Sequence, residues 1–259
     1  MSKRYRILIA ISFVGILAGM TFLIRIPQEP LYEGKRLTVW MKGYDSEWGT
    51  PDWKKADEAV RHLGTNAIPT LLRLLHQEDS ALKLRLIRLA QKQQFIKVKD
   101  VPADFWRREA MLGINALGAE AKEAVPVLVD LYEGRGSDRC AIAVALAGIG
   151  PEARKAVPSL LRALDDSDLN VRRTAAGALG RIHAEPGTVV PALIKCLSHP
   201  DTYFKQDLAY ALEGFGADAK AAVPALLELL KHPDKNVRTD AVRTLKRIDP
   251  ETAAEVEAK

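Results

Sequence analysis

Residues 155–180 read KAVPSLLRALDDSDLNVRRTAAGALG, and this stretch decides the fold. An apolar segment, Val157–Leu164, is followed by a second segment whose apolar residues recur at helical spacing: Val171, Ala175, Ala178, Leu179 and Ile182. Asp168 stands where an acidic side chain can cap the second helix. The stretch therefore predicts two helices joined by a short turn.

The same pattern recurs along the chain. Five phrases similar to AVPSLL contain prolines separated by 57, 32, 33 and 33 residues: Pro69, Pro126, Pro158, Pro191 and Pro224. Aspartates are expected to begin second helices at Asp79, Asp168, Asp201 and Asp234, and glycines to end helices at Gly64, Gly118, Gly150 and Gly216. One helix pair cannot cover its own apolar face, so the pairs must stack. The sequence predicts an all-α fold, an α-solenoid over residues 53–250.

The phrase AVPxLL followed by DxxVRxxAxxALG, as in Asp168–Gly180, resembles the HEAT family, and in particular its short bacterial branch of phycobilisome-lyase-type HEAT-like repeats. The ankyrin phrase TPLHxA and the aromatic pattern of tetratricopeptides are missing. The resemblance covers roughly residues 53–250. It implies a fold, whereas the family's functions range from scaffolds and lyase subunits to a hydroxylase and DNA-repair enzymes.

The interval between Pro69 and Pro126 is 24 residues longer than the period. The pattern places a second helix near 79–93 in this interval, then the segment QQFIKVKDVPAD, then another helix near 105–117. Residues 83–99 contain six basic side chains and no acidic one. They form either a solvated helix or a docking site for an anionic partner: Lys83, Arg85, Arg88, Lys92, Lys97 and Lys99.

A basic residue also follows the apolar start of each second helix, and stacking would place these residues one above another. Similar HEAT repeats pair such an arginine with an aspartate of a neighbouring repeat, which implies a structural ladder. An electropositive binding ridge is the alternative. The ladder consists of Lys83, Arg107, Arg139, Arg172, Lys205 and Arg238.

Residues Ile7–Ile24 contain no charge and would span about 27 Å as a helix, close to the thickness of a bilayer's hydrocarbon core. No small-residue cleavage site follows, which favours an uncleaved transmembrane signal anchor over 7–26 rather than a cleaved signal peptide. Met20 occupies the place of a lipobox cysteine, so lipidation is excluded there. The basic tail, residues 1–6, predicts a cytoplasmic N-terminus.

Residues 27–52 would then form an aromatic-rich linker outside the cytoplasm, and 251–259 a C-terminal tail. Five aromatic residues lie at 32–53 and are expected either to cover the open end of the first repeat or to form an aromatic belt at the membrane. They are Tyr32, Trp40, Tyr44, Trp48 and Trp53.

The sequence contains few features that indicate catalysis or the binding of a metal, cofactor or nucleic acid. The net charge of +5 falls to +2 once residues 1–6 are set aside, which argues against a nucleic-acid partner. Cys140 and Cys196 are expected to be buried helix residues rather than a disulfide, and His199 and His232 to be turn residues. No phosphate loop, nucleophile elbow, zinc motif or His-Glu dipeptide is present, so no catalytic residue, metal or cofactor is predicted.

These observations favour a non-catalytic scaffold in a bacterial inner membrane. It would cross the membrane once, with its repeats outside the cytoplasm, and bind a protein or envelope partner. The alternative is an accessory, lyase-like subunit that holds an enzyme's substrate.

Overall fold

The computed structural model describes residues 29–79, 85, 102–134 and 138–257. In these residues the chain is a stack of helices, preceded by an antiparallel hairpin of β1 (Leu31–Tyr32) and β2 (Lys35–Arg36). The all-α solenoid predicted from the repeated phrase is confirmed.

Thirteen helices belong to the described part of the chain. Five successive pairs, α3/α4 to α11/α12, form the repeats. The helices are α1 (Leu37–Met41), α2 (Pro51–Leu63), α3 (Ile68–Leu75), α4 (Ala103–Leu117), α5 (Val125–Glu133), α6 (Arg139–Ile149), α7 (Val157–Ala163), α8 (Leu169–Ile182), α9 (Pro186–Cys196), α10 (Thr202–Phe215), α11 (Val223–Leu229), α12 (Lys235–Ile248) and α13 (Pro250–Glu257).

The recurring proline lies in the first turn of four of the five first helices, α3, α5, α7 and α11. Proline is tolerated there because the first N–H groups of a helix have no intrahelical acceptor. In α9 the helix starts earlier, at Pro186, so Pro191 lies inside it.

The predicted helix signals are confirmed at most positions. Gly64, Gly118, Gly150 and Gly216 each follow the last residue of a helix with φ between 51° and 72°, which glycine adopts without steric cost. A short 3₁₀ turn leads from each glycine to the next first helix. The side chains of Asp168, Asp201 and Asp234 cap α8, α10 and α12 by accepting hydrogen bonds from first-turn amides.

In the long first repeat, α4 takes the position of the second helix. The backbone amide of Ala103 donates to Asp79 Oδ2 at 2.9 Å, so Asp79 lies at the start of α4, 24 residues away in sequence. Helix α4 packs against α3 and α6 and is therefore the second helix of this repeat. The pattern also placed a helix near 79–93; of the residues after Asp79 in that segment only Arg85 is described, and it is helical, so this helix stays a prediction.

The second helices approach one another closely. A Cβ on Gly180 of α8 would lie 2.6 Å from Ala211 Cα of α10, and one on Gly214 would lie 2.6 Å from the Gly180 carbonyl oxygen. First helices touch their neighbours more sparsely. Because the second helices lie closer together, the stack curves towards them, and they form its concave face.

Both ends of the stack are covered. At the N-terminal end Tyr44 is buried, Tyr32 and Trp53 pack on the core, and Arg73 binds Glu29 at 2.9 Å. Trp48 differs from the other aromatic residues, with 84% of its surface exposed. At the C-terminal end α13 packs on α12 with Ala253 buried, so most of the predicted tail is helical.

None of the helices in the described ranges combines the length and apolar character that crossing a membrane demands. The predicted anchor, residues 7–26, lies outside those ranges, as does the basic tail 1–6.

Candidate functional site: a groove on the concave face

A groove of about 420 Å³ runs along α8 on the concave face. Helix α8 forms its floor, while α6 and α10 supply the two walls. The residues that line it are Cys140, Val144 and Ala147 from α6, Asn170, Arg173, Thr174, Gly177, Ala178 and Arg181 from α8, and Asp207 and Tyr210 from α10.

The middle of the groove is a row of equivalent repeat positions. Val144, Gly177 and Tyr210 are 33 residues apart in sequence, and stacking brings them side by side. Val144 is 49% exposed and Tyr210 is 55% exposed. Between them, a Cβ on Gly177 would meet no atom within 4 Å. The row is therefore a depression with an apolar or aromatic side chain on either side.

One end of the groove holds an ion pair. Arg173 Nε lies 2.5 Å from Asp207 Oδ2, and the guanidinium also lies 5.4 Å from the centre of the exposed Tyr203 ring. Burial raises the pKa of Asp207 in spite of this pair. Both charges of the pair are thus engaged within the stack.

Arg181 lies at the opposite end of the groove, one helical turn beyond Gly177. Its side chain is exposed, and no acidic side chain in the described ranges forms an ion pair with it. The groove thus combines an apolar middle with an arginine that is available to an anionic group.

The predicted ladder has two kinds of contact. Arg139 pairs with Asp166 of the next repeat, as the resemblance implied. Arg107, Arg172 and Arg238 instead donate to backbone carbonyls of the turn before their own helix, at 2.9, 2.5 and 2.7 Å. These carbonyls belong to residues just after the first helix of each repeat, so each arginine ties that turn to the second helix.

Lys205 and Lys83 are the two remaining positions of the ladder. Lys205 occupies the equivalent position in α10, and Lys83 lies outside the described residues. The interrepeat pairing that the resemblance implied also occurs one residue further on, where Arg173 binds Asp207 and Gln206 binds Asp240 at 2.8 Å.

The basic residues of the insertion are not brought into this groove by any described contact. Arg85 is exposed, and Lys83, Arg88, Lys92, Lys97 and Lys99 lie outside the described residues. Their role as a docking site stays a prediction.

His199 and His232 occupy equivalent turns, where each Nδ1 accepts a hydrogen bond from the amide two residues later at 3.1 Å. They are turn residues, as predicted. Cys140 and Cys196 are free thiols, each partly rather than fully buried. Over the ranges described, no three or more histidine, cysteine or acidic side chains gather as metal ligands would.

Sequence reasoning missed the groove because each of its residues looks ordinary alone. The available signal was the position shared by Val144, Gly177 and Tyr210: a glycine between two larger residues at a surface position of the repeat. Reading the repeats in register would have placed the three residues in one row.

The fold and groove define an α-solenoid of paired helices. The family model for HEAT repeats matches residues 125–189 and 190–256, just over half of the chain. The chain belongs to the HEAT repeat family. No curated protein matches it in sequence.

Solved structures with this fold share little sequence with the chain. A designed armadillo repeat protein in complex with the peptide (KR)4 is 17% identical with a TM-score of 0.52, over 83% of this chain and 100% of the other. Kap121p bound to Pho4p is 17% identical with a TM-score of 0.54, over 82% of this chain and 25% of the karyopherin.

The complex of CpcE and CpcF of phycocyanin lyase from Nostoc is 20% identical over 89% of this chain and 73% of the other. Its TM-score is 0.38. The likeness to the armadillo protein and to Kap121p shows the solenoid fold.

Proposed function

We propose that this protein is a non-catalytic scaffold, anchored in a bacterial inner membrane, that binds a protein partner in the groove along α8. The observation that carries the proposal is the row of Val144, Gly177 and Tyr210, which offers exposed apolar surface around a depression. Exposed apolar surface arranged around a concavity is typical of binding sites. The armadillo protein holds a peptide and Kap121p holds Pho4p, which supports a protein as the ligand class.

The binding test removes the groove walls. Full-length protein carrying Val144→Ala and Tyr210→Ala is compared with wild type in a pull-down from detergent-solubilised membranes. Recovery of the wild-type partner should fall at least tenfold, because both walls lose contact surface. Trp48→Ala is the matched control, since Trp48 is exposed outside the groove.

Equal recovery with the wall variant and wild type, both correctly folded, would contradict the groove as the site. A pigment or enzyme subunit that co-purified with the wild type would favour the accessory, lyase-like subunit instead.

The anchor is proposed from the uncharged run Ile7–Ile24 and the basic residues before it. Protease added to spheroplasts should digest residues 27–259 without membrane lysis. Protection until lysis would reverse the topology, and a soluble protein lacking residues 1–26 would identify a cleaved signal peptide.

The six basic residues of the insertion supply a second proposed contact, with an acidic protein surface or anionic lipid. Replacing Arg88, Lys92 and Lys97 by Glu should lower partner recovery, and added salt should weaken the wild-type interaction. Arg172 and Arg238 are the control positions, because their contacts with turn carbonyls predict damage to the stack itself. Unchanged recovery by a folded Glu variant at low salt would remove the insertion from the binding surface.

A further inference from the structure

We propose that the groove binds an extended segment of the partner that places an apolar side chain over Gly177 and a carboxylate, two residues further along, on Arg181. This inference rests on the proposed function, because it specifies the ligand of the same groove.

The direction of the bound segment follows from the walls. Six of the lining residues belong to α8, between Asn170 and Arg181, while α6 and α10 contribute only to the sides. The open path therefore runs along α8. Its floor covers about 16 Å at ~1.5 Å per helical residue, which is the length of about five residues of extended chain.

The depression over Gly177 selects the apolar side chain. Half-exposed Val144 and Tyr210 stand on either side of it, and the space where a Cβ would lie is open. An aliphatic or aromatic side chain inserted here would remove apolar surface of both walls from water.

Charge selects the second group. The lining contains Arg173, Arg181 and Asp207, a net charge of +1. Arg173 and Asp207 form an ion pair with each other. Arg181 is therefore the residue of the groove that can attract an anionic group. A carboxylate matches the guanidinium, which can donate two parallel hydrogen bonds to it.

The spacing of the two groups agrees with an extended ligand. Gly177 and Arg181 are four residues apart on α8, a rise of about 6 Å. Alternate side chains of an extended chain face the same side and are about 6.6 Å apart. An apolar residue and an acidic residue two positions later can therefore reach both sites at once.

The test uses the full-length protein in detergent and three labelled peptides, with binding measured by fluorescence polarisation at low salt. The first peptide, Ser-Gly-Leu-Ser-Asp-Ser-Gly, has Leu and Asp two residues apart. The second carries Lys in place of Asp, and the third carries Ala in place of Leu. We expect the first peptide to bind at least tenfold more tightly than either of the others.

Two variants locate the binding. Gly177→Leu fills the depression from open space, and Arg181→Glu reverses an exposed charge, so both variants should stay folded and neither should melt far below the wild type. Gly177→Leu should abolish binding of the Leu-Asp peptide. Arg181→Glu should lose that peptide and gain the Leu-Lys peptide, a reversal that a purely structural role of Arg181 would not produce.

Equal binding of the Asp and Lys peptides, no detectable binding of any peptide, or full binding by folded Gly177→Leu would each overturn the inference. If partner recovery still depended on Val144 and Tyr210, the proposed function would survive and only this ligand chemistry would fail. If recovery were also unaffected, both would fail.

Discussion

Two glycines of α8 have opposite surroundings. Gly177 faces open space in the groove, whereas Gly180 lies against the backbone of α10 at Ala211. Glycine is an unfavourable residue inside a helix. At Gly180 it is nevertheless required, because a Cβ there would prevent α8 and α10 from packing so closely.

The pair yields a matched prediction. Gly180→Ala should destabilise the protein by about 1–3 kcal/mol, since the new methyl group would overlap Ala211. Gly177→Ala should stabilise it by about 0.5–1 kcal/mol through helix propensity alone. Denaturant unfolding of both variants checks the prediction, and equal effects at the two sites would contradict the close packing of α8 on α10.

Glu109 is a buried carboxyl group in α4. Its Oε1 accepts hydrogen bonds from Arg108, but its Oε2 has no hydrogen-bond partner within the described part of the protein. Burial raises the pKa of Glu109 to about 7, while Arg108 partly opposes the shift. The folded protein therefore holds this proton more tightly than the unfolded chain does.

This pKa predicts a pH dependence of stability. Because the folded-state pKa lies above the ordinary value of 4.5, the stabilisation is present below pH 4.5 and is lost as pH rises through about 7. Relative to Glu109→Gln, the wild type should lose about 2–3 kcal/mol between pH 5 and pH 8. The measurement is the free energy of unfolding of both proteins at both values. Parallel behaviour would show that Glu109 does not titrate in this range.

At the scale of elements, the insertion divides the sequence motif of the first repeat into two parts. Asp79, Trp106-Arg107-Arg108 and Ala110 correspond to Asp168, Val171-Arg172-Arg173 and Ala175 in the third repeat. Asp79 caps the first amide of α4, although 24 residues of sequence separate it from Ala103. The insertion is therefore an addition at the turn between a first and a second helix.

Deleting residues 80–103 should restore the 33-residue spacing between Pro69 and Pro126 and place Asp79 directly before Asp104. We expect the deletion variant to fold, with a cooperative melt and the helical circular dichroism of its remaining repeats. Loss of cooperative melting would show that the insertion is needed to assemble the first repeat.

Asp79→Ala tests the cap itself. It should lower the free energy of unfolding by about 1 kcal/mol, as loss of a helix cap does, although cap and helix are 24 residues apart. Asp168→Ala, which removes the local cap of α8, is the matched control. No effect at Asp79 beside a normal effect at Asp168 would contradict capping across the insertion.

At the scale of the whole molecule, stability is a sum of repeats and the interfaces between them. Leu179 is fully buried in α8, the second helix of the third of five repeats. Leu179→Ala should lower stability by about 2–5 kcal/mol and raise hydrogen exchange in α6 and α10 as well as in α8. A change below about 1 kcal/mol, or exchange confined to α8, would contradict coupling through the stacked interfaces.

The sequence by itself determined the features that depend on neighbouring residues. Helix periodicity, Asp168 as a cap, Gly150 as a stop and proline in a first turn act within a few residues, so the repeated phrase was enough to predict paired helices and their stacking. The apolar run Ile7–Ile24 is equally local, and the anchor remains a prediction from hydropathy.

Only the tertiary structure decided which surfaces those helices create. It placed Asp79 at the start of α4 across 24 residues, brought Gly180 against Ala211, and aligned Val144, Gly177 and Tyr210 as one groove. These neighbours come from different repeats, and their contacts depend on how closely and in which register the helices stack. That register is set by side-chain packing between distant segments, which a local sequence pattern does not contain.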